Sequence, residues 1–265
     1  MMLDIKEVHK TFNKGTINEK KALCGVNLHL NPGDFVTVIG GNGAGKSTLL
    51  NSICGVFRID SGSITVDGIN VTSLPEYKRA KYLGRVFQDP MMGTAADMQI
   101  IENMSIAYRR GKKRGLSWAI KAPEKKLYRE LLSQLGLGLE DRMTSKVGLL
   151  SGGQRQALTL LMAVMQKPKL LLLDEHTAAL DPKTAEKVLA LSDKFIAEDK
   201  LTAMMITHNM HDAITHGNRL IMMHEGRVIF DVSGEEKKNL TVEQLLQKFA
   251  EISGEEFAND KTLLS

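Results

Sequence analysis

The sequence predicts an α/β fold with a phosphate-binding core built on a mainly parallel sheet, an antiparallel β subdomain and an inserted α-helical subdomain. An apolar run at residues 35–39 leads into a glycine-rich turn and then a helical pattern, the order of a strand, a phosphate-binding loop and a helix. A second run, residues 170–173, is four leucines, as expected for a central parallel strand buried on both faces. From about residue 91 to residue 150 the pattern is helical, without a convincing strand.

The glycine-rich turn has the spacing G-x-x-x-x-G-K-[ST] between Gly40 and Ser47, which predicts a P-loop NTPase core. Its glycines permit close approaches that a Cβ atom would prevent, so successive N–H groups can point at phosphate oxygens where the next helix begins. We expect Lys46 to contact the β- and γ-phosphates and the Ser47 hydroxyl to bind Mg²⁺. The alternative, a glycine-rich turn that carries a lysine by chance, leaves the flanking strand and helix unexplained.

The first strands are expected to be antiparallel. Residues 3–8 and 23–30 alternate between apolar and polar side chains, as half-buried strands do. Phe12 follows the first of them, and the turn at residues 31–34 leads into the strand before the P-loop. The connections are too short for the crossover that parallel strands need.

The P-loop helix is expected to end near Gly55. A strand at residues 64–66 and a short helix beginning at Pro75 follow, and residues 85–87 form a strand that leads into Gln88. These elements lie before the helical insertion.

The insertion carries a basic run at residues 109–114. Blocks of like charge are usually solvated, mobile loops. The alternative is a contact with acidic lipid headgroups or with an acidic partner surface.

Residues 151–154 have the Ser-x-x-Gln spacing of a helix capping box. A cap alone does not need Gly152 and Gly153, because each glycine costs about 1 kcal/mol of helix propensity relative to alanine. The pair is explained if a ligand approaches the backbone N–H groups at this helix start, and phosphate is the usual ligand there.

Asp174 and Glu175 follow the leucine run, at the strand end where open α/β sheets bind ligands. One carboxylate can hold Mg²⁺, often through water. Its neighbour points in another direction along an extended backbone, so it can orient or deprotonate a water molecule. The alternative is a solvated strand end, which the upstream P-loop disfavours.

The remaining residues continue the α/β pattern. The expected elements are, in order, a helix over 183–198 after the loop containing Asp181, a strand over 203–207 ending at His208, a hairpin of 219–223 with 228–231, a helix from the capping box at 241–244 to about 251, and a frayed tail over 253–265.

Composition limits the classes of function. The 265 residues carry 35 basic and 31 acidic side chains, a formal charge of +4, too mild to indicate nucleic acid binding. Cys24 and Cys54 offer neither metal-binding spacing nor a disulfide framework. Residues 1–10 are too charged for a signal peptide, and no run approaches the ~20 apolar residues of a membrane helix. If the protein works at a membrane, something else holds it there.

Together these motifs resemble the ATP-binding subunit of ABC transporters, over about residues 3–232. The P-loop alone does not distinguish this family, but Leu-Ser-Gly-Gly-Gln at residues 150–154 is its diagnostic signature. The acidic strand end, Gln88, Asp181 and His208 match further motifs in the family's order. The pattern is closest to a bacterial importer subgroup associated with tryptophan/tyrosine transport.

The resemblance implies ATP and Mg²⁺ as ligands and ATP hydrolysis as the reaction. Glu175 would act on the attacking water, and His208 would contact the γ-phosphate. Ser151 and Gly153 would reach the γ-phosphate bound by a second copy of the domain. Phe12 lies where the family stacks an aromatic ring on adenine, although an ordinary core phenylalanine is the alternative. The resemblance implies four sets of site residues. The catalytic residues would be Lys46, Gln88, Glu175 and His208, and the Mg²⁺-binding residues would be Ser47, Gln88 and Asp174. The ATP-binding residues would be Phe12, Gly40, Gly41, Asn42, Gly43, Ala44, Gly45, Lys46, Ser47 and Thr48, and the residues that act across the dimer would be Ser151, Gly152, Gly153, Gln154 and Asp181.

The family also implies partners: a membrane permease subunit, an extracytoplasmic substrate-binding protein acting through it, and a second ATPase chain that is either identical or a paralogue. Nucleic acid is not among them. The chain would lie at the cytoplasmic face of the cell membrane, held by the permease. The alternatives are the ATPase of an exporter, a soluble ABC ATPase of an assembly system of the iron–sulfur scaffold type, and a regulatory module without turnover, against which Glu175 and His208 argue.

One residue departs from the family pattern: His176 stands where proline usually follows Asp-Glu. Because proline fixes φ and donates no N–H, histidine loosens the backbone beside the presumed base. It could add a titratable group near the γ-phosphate, although a tolerated substitution is the simpler interpretation.

The resemblance divides the chain into an ATPase domain and a C-terminal segment. The ATPase domain spans residues 1–238, and residues 239–265 form the C-terminal helix and tail. Within the domain, the P-loop core and β subdomain take residues 1–90 and 165–238, and the α-helical subdomain takes residues 91–164.

Overall fold

The computed structural model describes residues 1–112 and 120–253. Its strands are β1 (Leu3–Phe12), β2 (Lys20–Leu30), β3 (Phe35–Ile39), β4 (Ser61–Val66), β5 (Ile69–Asn70), β6 (Leu83–Val86), β7 (Leu170–Asp174), β8 (Thr202–Ile206), β9 (Arg219–His224) and β10 (Arg227–Ser233). Its α-helices are α1 (Lys46–Cys54), α2 (Glu76–Arg79), α3 (Ile100–Tyr108), α4 (Ala122–Ser133), α5 (Gly152–Val164), α6 (Pro182–Asp199), α7 (Met210–Thr215), α8 (Gly234–Lys238) and α9 (Val242–Ser253).

The main sheet has the strand order β10-β9-β3-β8-β7-β6. Its neighbouring strands are parallel except for the β9–β10 hairpin, so the predicted mainly parallel sheet is confirmed. β3 and β8 are buried along their whole length, because apolar clusters pack on both faces of the sheet. The carboxyl ends of β3, β8 and β7 lie side by side at one edge. The loops after these three strands carry the P-loop, His208 and Glu175.

The second sheet has the order β2-β1-β4-β5 and is antiparallel, as the short connections predicted. Leu3, Ile5 and Leu28 of this sheet share one core cluster with Leu50 of α1 and Leu172 of the main sheet. α1 is therefore packed between the two sheets. β1 is longer than its predicted six residues: it extends to Phe12, which pairs with Lys20 at the start of β2.

Helices α3, α4 and α5 form the insertion and share a core cluster with the opposite face of the main sheet. Tyr128 and Met104 are fully buried in this cluster together with Leu171 of β7. Outside the undescribed residues 113–119, the strand-type pairing in this region is a single bridge between Gln99 and Lys146. The helical pattern of the sequence agrees with this arrangement.

Two arginines of the basic run make ordered contacts, whereas Gly111 and Lys112 are exposed. Arg109 binds both carboxylate oxygens of Glu124, at 3.0 and 2.9 Å. Arg110 donates to the carbonyl oxygen of Ala163 in α5 at 2.9 Å. The prediction of a solvated, mobile loop is therefore wrong for these two arginines, which fasten α3 to α4 and α5. Lys113 and Arg114 lie outside the described residues.

The C-terminal elements follow the predicted pattern. The capping box at the start of α9 is present: Thr241 N–H donates to Gln244 at 2.9 Å, and Gln244 N–H donates to the Thr241 hydroxyl at 3.2 Å. Leu245 and Phe249 of α9 are buried against β9 and α7 residues, so the helix is part of the fold. The predicted tail after residue 253 lies outside the described residues.

Candidate functional site

The loop between β3 and α1 has a backbone that only glycine allows at its two ends. Gly40 has φ of 148°, and a Cβ atom there would stand 2.2 Å from the carbonyl oxygen of Met223. Gly45 has φ of 101°, and its Cβ would stand 2.6 Å from the carbonyl oxygen of Ala22. The glycines of the motif therefore let the loop lie directly against β9 and β2.

The ammonium group of Lys46 lies over this loop. Its Nζ donates to the carbonyl oxygens of Gly40 at 2.6 Å and Gly41 at 3.2 Å. Burial lowers the pKa of Lys46, although the carboxylates of Glu175 and Asp174 act in the opposite direction. A buried cation with weak, neutral partners is well placed to bind an anion such as phosphate.

A cavity of about 330 Å³ lies above the loop. It is open to solvent and bordered by the first turn of α1, by β1 and β2, and by the loop after β7. Most of the predicted ATP-binding residues line it, whereas Gly40 and Gly41 lie beneath as acceptors for Lys46. The lining residues are Phe12, Lys20, Ala22, Asn42, Gly43, Ala44, Gly45, Lys46, Ser47, Thr48 and Glu175.

Phe12 stands at the edge of this cavity and is only partly buried. Its ring meets the ring of Phe57 edge to face, with centroids 5.1 Å apart. The ammonium group of Lys10 lies over the ring, 5.3 Å from its centroid. A partly exposed aromatic ring at the edge of a cavity can stack against a planar base. The proposed stacking role of Phe12 is compatible with this position.

Glu175 and His208 meet at the carboxyl edge of the sheet. The Oε2 atom of Glu175 lies 3.7 Å from Nδ1 of His208. The interaction with His208 lowers the pKa of Glu175, and Glu175 raises the pKa of His208. Glu175 has φ of 44°, a left-handed conformation that is uncommon for a residue with a side chain. This conformation ends β7 abruptly and lets the Glu175 side chain line the cavity.

Asp174 is bound by an arginine that the motifs did not identify. Its Oδ2 atom lies 3.0 Å from Nη2 of Arg85 in β6, and both side chains are 14% exposed. Burial raises the pKa of Asp174, while Arg85 and Lys46 act to lower it. The two neighbouring carboxylates therefore have different partners: Glu175 contacts His208, and Asp174 contacts Arg85.

The predicted Mg²⁺ donors are all oxygen atoms: the Ser47 hydroxyl, the Gln88 amide and the Asp174 carboxylate. Hard oxygen donors fit Mg²⁺, which usually keeps several waters and shares phosphate oxygens with its nucleotide. In the described ranges, no group of three or more His, Cys, Asp or Glu residues forms a metal-binding cluster. Ser47 lines the cavity, whereas Gln88 is exposed on the loop after β6 and is not among the lining residues.

The signature residues occupy a different place. Ser151 caps α5: its N–H donates to Gln154 Oε1 at 3.2 Å, and its hydroxyl accepts from Gln154 N–H at 3.3 Å. Ser151, Gly153 and Gln154 line a second cavity of about 470 Å³ together with residues of α6. Asp181 caps α6 by accepting from Thr184 N–H at 3.1 Å. Within one chain, therefore, the signature and the P-loop line separate cavities.

Gly153 also has a packing role that the motif did not reveal. A Cβ atom on Gly153 would stand 2.1 Å from Cγ2 of Thr184, whereas one on Gly152 would stand an ordinary 3.5 Å from Leu180. Contact between α5 and α6 thus requires the second glycine but not the first.

His176 points away from the candidate site. Its side chain is 2% exposed, and its Nε2 atom lies 3.0 Å from the Ser192 hydroxyl in α6. Burial lowers the pKa of His176 to about 4, so the ring is neutral near pH 7. The hypothesis of a titrating group near the γ-phosphate is wrong, and His176 instead fastens the loop after Glu175 to α6.

Sequence reasoning missed three residues of the site: Lys20, Ala22 and Arg85. Lys20 and Ala22 line the cavity because β2 runs alongside β1. The pairing of the first hairpin would have placed Lys20 opposite Phe12. No local signal marks Arg85, since its contact with Asp174 depends on β6 lying next to β7.

The fold and the site define a P-loop nucleotide-hydrolysing protein. More narrowly, the chain belongs to the ABC transporter family, whose profile, described as "ABC transporter", matches residues 23–178. It is 46% identical to the tyrosine transport ATP-binding protein of Clostridioides difficile over 94% of this chain and 98% of that protein. It is 34% identical to the xylose/arabinose import ATP-binding protein XylG of Sulfolobus acidocaldarius over 94% of this chain and 95% of that protein.

Solved structures agree with this assignment. The dimeric, post-hydrolysis structure of the ATP-binding cassette MJ0796 with ADP and Pi superposes with a TM-score of 0.75 at 31% identity, covering 88% of this chain and 98% of that one. The chain is thus an ABC transporter ATP-binding subunit and an ATPase. No described helix is long and apolar enough to cross a membrane.

Proposed function

We propose that this ATPase powers the uptake of an amino-acid-like solute through a membrane permease. The similarity to the tyrosine transport protein, which extends over nearly the whole of both chains, supports the solute class. The import protein for xylose and arabinose supports the direction of transport. The permease would hold the chain at the cytoplasmic face of the membrane, and an extracytoplasmic binding protein would deliver the solute.

The observation that carries the mechanism is the separation of the two cavities. Ser151 and Gly153 line one cavity, and Lys46 and Glu175 line another. A head-to-tail dimer would place the signature of one chain over the P-loop of the other and complete two ATP sites. The dimeric state of the similar MJ0796 cassette supports this arrangement. The second chain would be an identical copy or a paralogue.

In this dimer Lys46 would exchange its two carbonyl partners for the β- and γ-phosphate oxygens. Glu175, held ionised by His208, would polarise the attacking water and accept its proton, and His208 would contact the γ-phosphate. Ser47, Gln88 and Asp174 would hold Mg²⁺, which when bound neutralises developing charge on the phosphates. Gln88 is exposed on its loop, so its approach to the nucleotide would accompany closure of the dimer.

The proposed organisation keeps residues 91–164 as the α-helical subdomain between the two parts of the core, residues 1–90 and 165–238, with residues 239–265 as the C-terminal segment. The loop carrying Gln88 leads from β6 into this insertion. Movement of the insertion by a bound permease would therefore reach Gln88 directly.

One experiment tests the ATP sandwich. The variant Glu175→Gln should bind ATP, hydrolyse it very slowly and form a dimer in size-exclusion chromatography with light scattering. Adding Ser151→Arg, at an exposed position, should return the protein to a monomer without loss of ATP binding. A Glu175→Gln variant that stays monomeric at saturating ATP, even with its permease, would contradict the sandwich.

A second experiment tests the transport role. A tagged chain purified from native membranes in mild detergent should bring down a multi-helix permease in stoichiometric amount. A binding protein beside it supports import, and its absence points to an exporter. In proteoliposomes, the ATPase rate should rise with amino acids bound to the binding protein and not with pentoses. Soluble partners alone would indicate an ATPase of an assembly system instead.

A further inference from the structure

Arg85 is a largely buried cation beside the acidic pair, with its side chain 14% exposed. It lies in β6 opposite Leu172 of β7, and Leu172 belongs to the core cluster that contains Leu49 and Leu50 of α1. Since residues 172 and 174 share one face of β7, Arg85 and Asp174 lie on the face of the sheet that α1 covers. This is the side on which α1 begins with Lys46 and Ser47.

The contact between the two side chains is direct and shielded. Nη2 of Arg85 lies 3.0 Å from Oδ2 of Asp174, and each side chain is 14% exposed. A charge-assisted hydrogen bond of this kind fixes the orientation of a carboxylate. With Oδ2 bound by the guanidinium, Oδ1 is the oxygen left for a metal ion or its water.

Keeping an arginine here has a cost. Its Nε atom is buried and has no hydrogen-bond partner among the described residues, and an unmet buried donor destabilises the folded state. An apolar side chain would satisfy the packing of β6 against α1. The guanidinium charge is therefore better explained by its contact with the Asp174 carboxylate than by a contribution to the stability of the sheet.

Arg85 also connects Asp174 to the Gln88 loop. Its guanidinium lies over the Phe87 ring, 4.4 Å from the ring centroid, and Phe87 immediately precedes Gln88. The carbonyl oxygen of Phe87 accepts a 3.0 Å hydrogen bond from Gln156 Nε2, two residues after the signature in α5. The chain of contacts therefore runs from Asp174 to the signature helix.

We propose that Arg85 is a positioning residue of the ATPase, which holds the Asp174 carboxylate in the orientation that binds Mg²⁺ and links it to Phe87 and the Gln88 loop. The inference rests on the proposed Mg²⁺ role of Asp174. Partners that orient a metal ligand from behind commonly change metal affinity by about 10- to 100-fold when removed. Arg85 should therefore govern how strongly Mg²⁺ supports nucleotide binding, rather than nucleotide binding itself.

The test is the ratio of ATP affinities measured in excess Mg²⁺ and in EDTA, by equilibrium binding of a fluorescent ATP analogue. The variant Arg85→Met should lower this ratio about 10-fold and leave the affinity in EDTA within about twofold. Arg85→Lys keeps the charge but loses the planar fork, so it should recover part of the ratio. Arg110→Met, which removes a partly buried arginine bound to the Ala163 carbonyl, is the matched control and should leave the ratio unchanged.

The results distinguish a failure of the proposal for Arg85 from a failure of the proposed Mg²⁺ role of Asp174. If Asp174→Asn lowers the ratio and Arg85→Met does not, Asp174 binds the metal without help and the proposal for Arg85 is overturned. If neither variant changes the ratio, the Mg²⁺ role of Asp174 itself is wrong. An equal loss of affinity with and without Mg²⁺ in Arg85→Met would show a structural role only, as would a loss that Arg110→Met reproduces. A ratio that rises in Arg85→Met would also overturn the proposal, because Arg85 would then compete with the metal.

Discussion

His208 and Glu175 form a partly exposed ion pair, with Nδ1 and Oε2 separated by 3.7 Å. Each partner favours the charged form of the other: the pKa of Glu175 is lowered and that of His208 is raised. The pair is therefore fully charged between the ordinary pKa values of glutamate, 4.5, and histidine, 6.5. Its contribution to stability is lost as the pH falls through the lowered pKa of Glu175 or rises through the raised pKa of His208.

Replacing His208 by glutamine should reduce kcat by roughly 100-fold, the size expected for removal of one aligned group at a transition state. The accompanying loss of stability should be largest between about pH 4.5 and pH 6.5 and should shrink towards pH 8. Steady-state kinetics and urea unfolding across this range check both parts. His211→Gln, at an exposed position of α7, is the control. A His208→Gln variant with unchanged kcat would contradict the proposed role of His208.

His176 gives a second pH dependence with the opposite sign. Because its pKa falls from 6.5 to about 4 on burial, the unfolded chain binds a proton that the folded chain excludes. Stability is thus full above pH 6.5 and is lost as the pH falls towards 4, by about 2 kcal/mol between about pH 7.5 and pH 5.

The variant His176→Gln cannot titrate, so its urea midpoint should change less over the same interval. His29→Gln, at an exposed position, should retain the wild-type acid sensitivity. If His176→Gln and the wild-type chain lose stability in parallel, the acid sensitivity does not arise from His176.

Lys20 should strengthen binding of the triphosphate. It lines the cavity opposite Phe12, and its Nζ atom lies 3.2 Å from where a Cβ on Gly43 would stand. A second cation near Lys46 favours the more highly charged nucleotide, so Lys20→Met should weaken ATP binding by about 5- to 10-fold and ADP binding less. Its effect should fade at high salt, because the ammonium group is exposed. Lys21→Met, on the other face of β2, is the control, and an equal loss in that variant would contradict the prediction.

A site residue can be predicted from the sequence when the groups that position it lie close to it along the chain. Lys46, Ser47 and the two cap residues of α5 are set by neighbours within a few positions, and the motif spacing therefore identified them. Arg85 depends on the order of strands in the sheet, which no local pattern specifies.

The orientation of the His176 side chain also could not be predicted from the sequence. Its position after Glu175 was evident from the sequence, but the direction of its side chain depends on where α6 packs. The basic run was misjudged at Arg109 because its partner, Glu124, lies in another helix.

At Gly153, a role in packing α5 against α6 can be tested separately from a role in binding phosphate. Its Cβ would stand 2.1 Å from Thr184 Cγ2, so Gly153→Ala should destabilise the chain by roughly 1–3 kcal/mol through overpacking. Gly152→Ala meets only an ordinary contact and should instead gain up to about 1 kcal/mol from helix propensity. Thermal unfolding of the two variants, which differ by one position, checks this contrast.

The double variant Gly153→Ala with Thr184→Ser decides what Gly153 is for. Serine lacks the Cγ2 methyl group, so stability should return while a Cβ atom remains at position 153, beside the backbone N–H groups at the start of α5. We expect ATP-dependent dimerisation in the Glu175→Gln background to remain impaired, because the partner's γ-phosphate could no longer approach those groups closely. If dimerisation returns together with stability, Gly153 serves only the contact between α5 and α6, and the signature would bind phosphate through Ser151 alone.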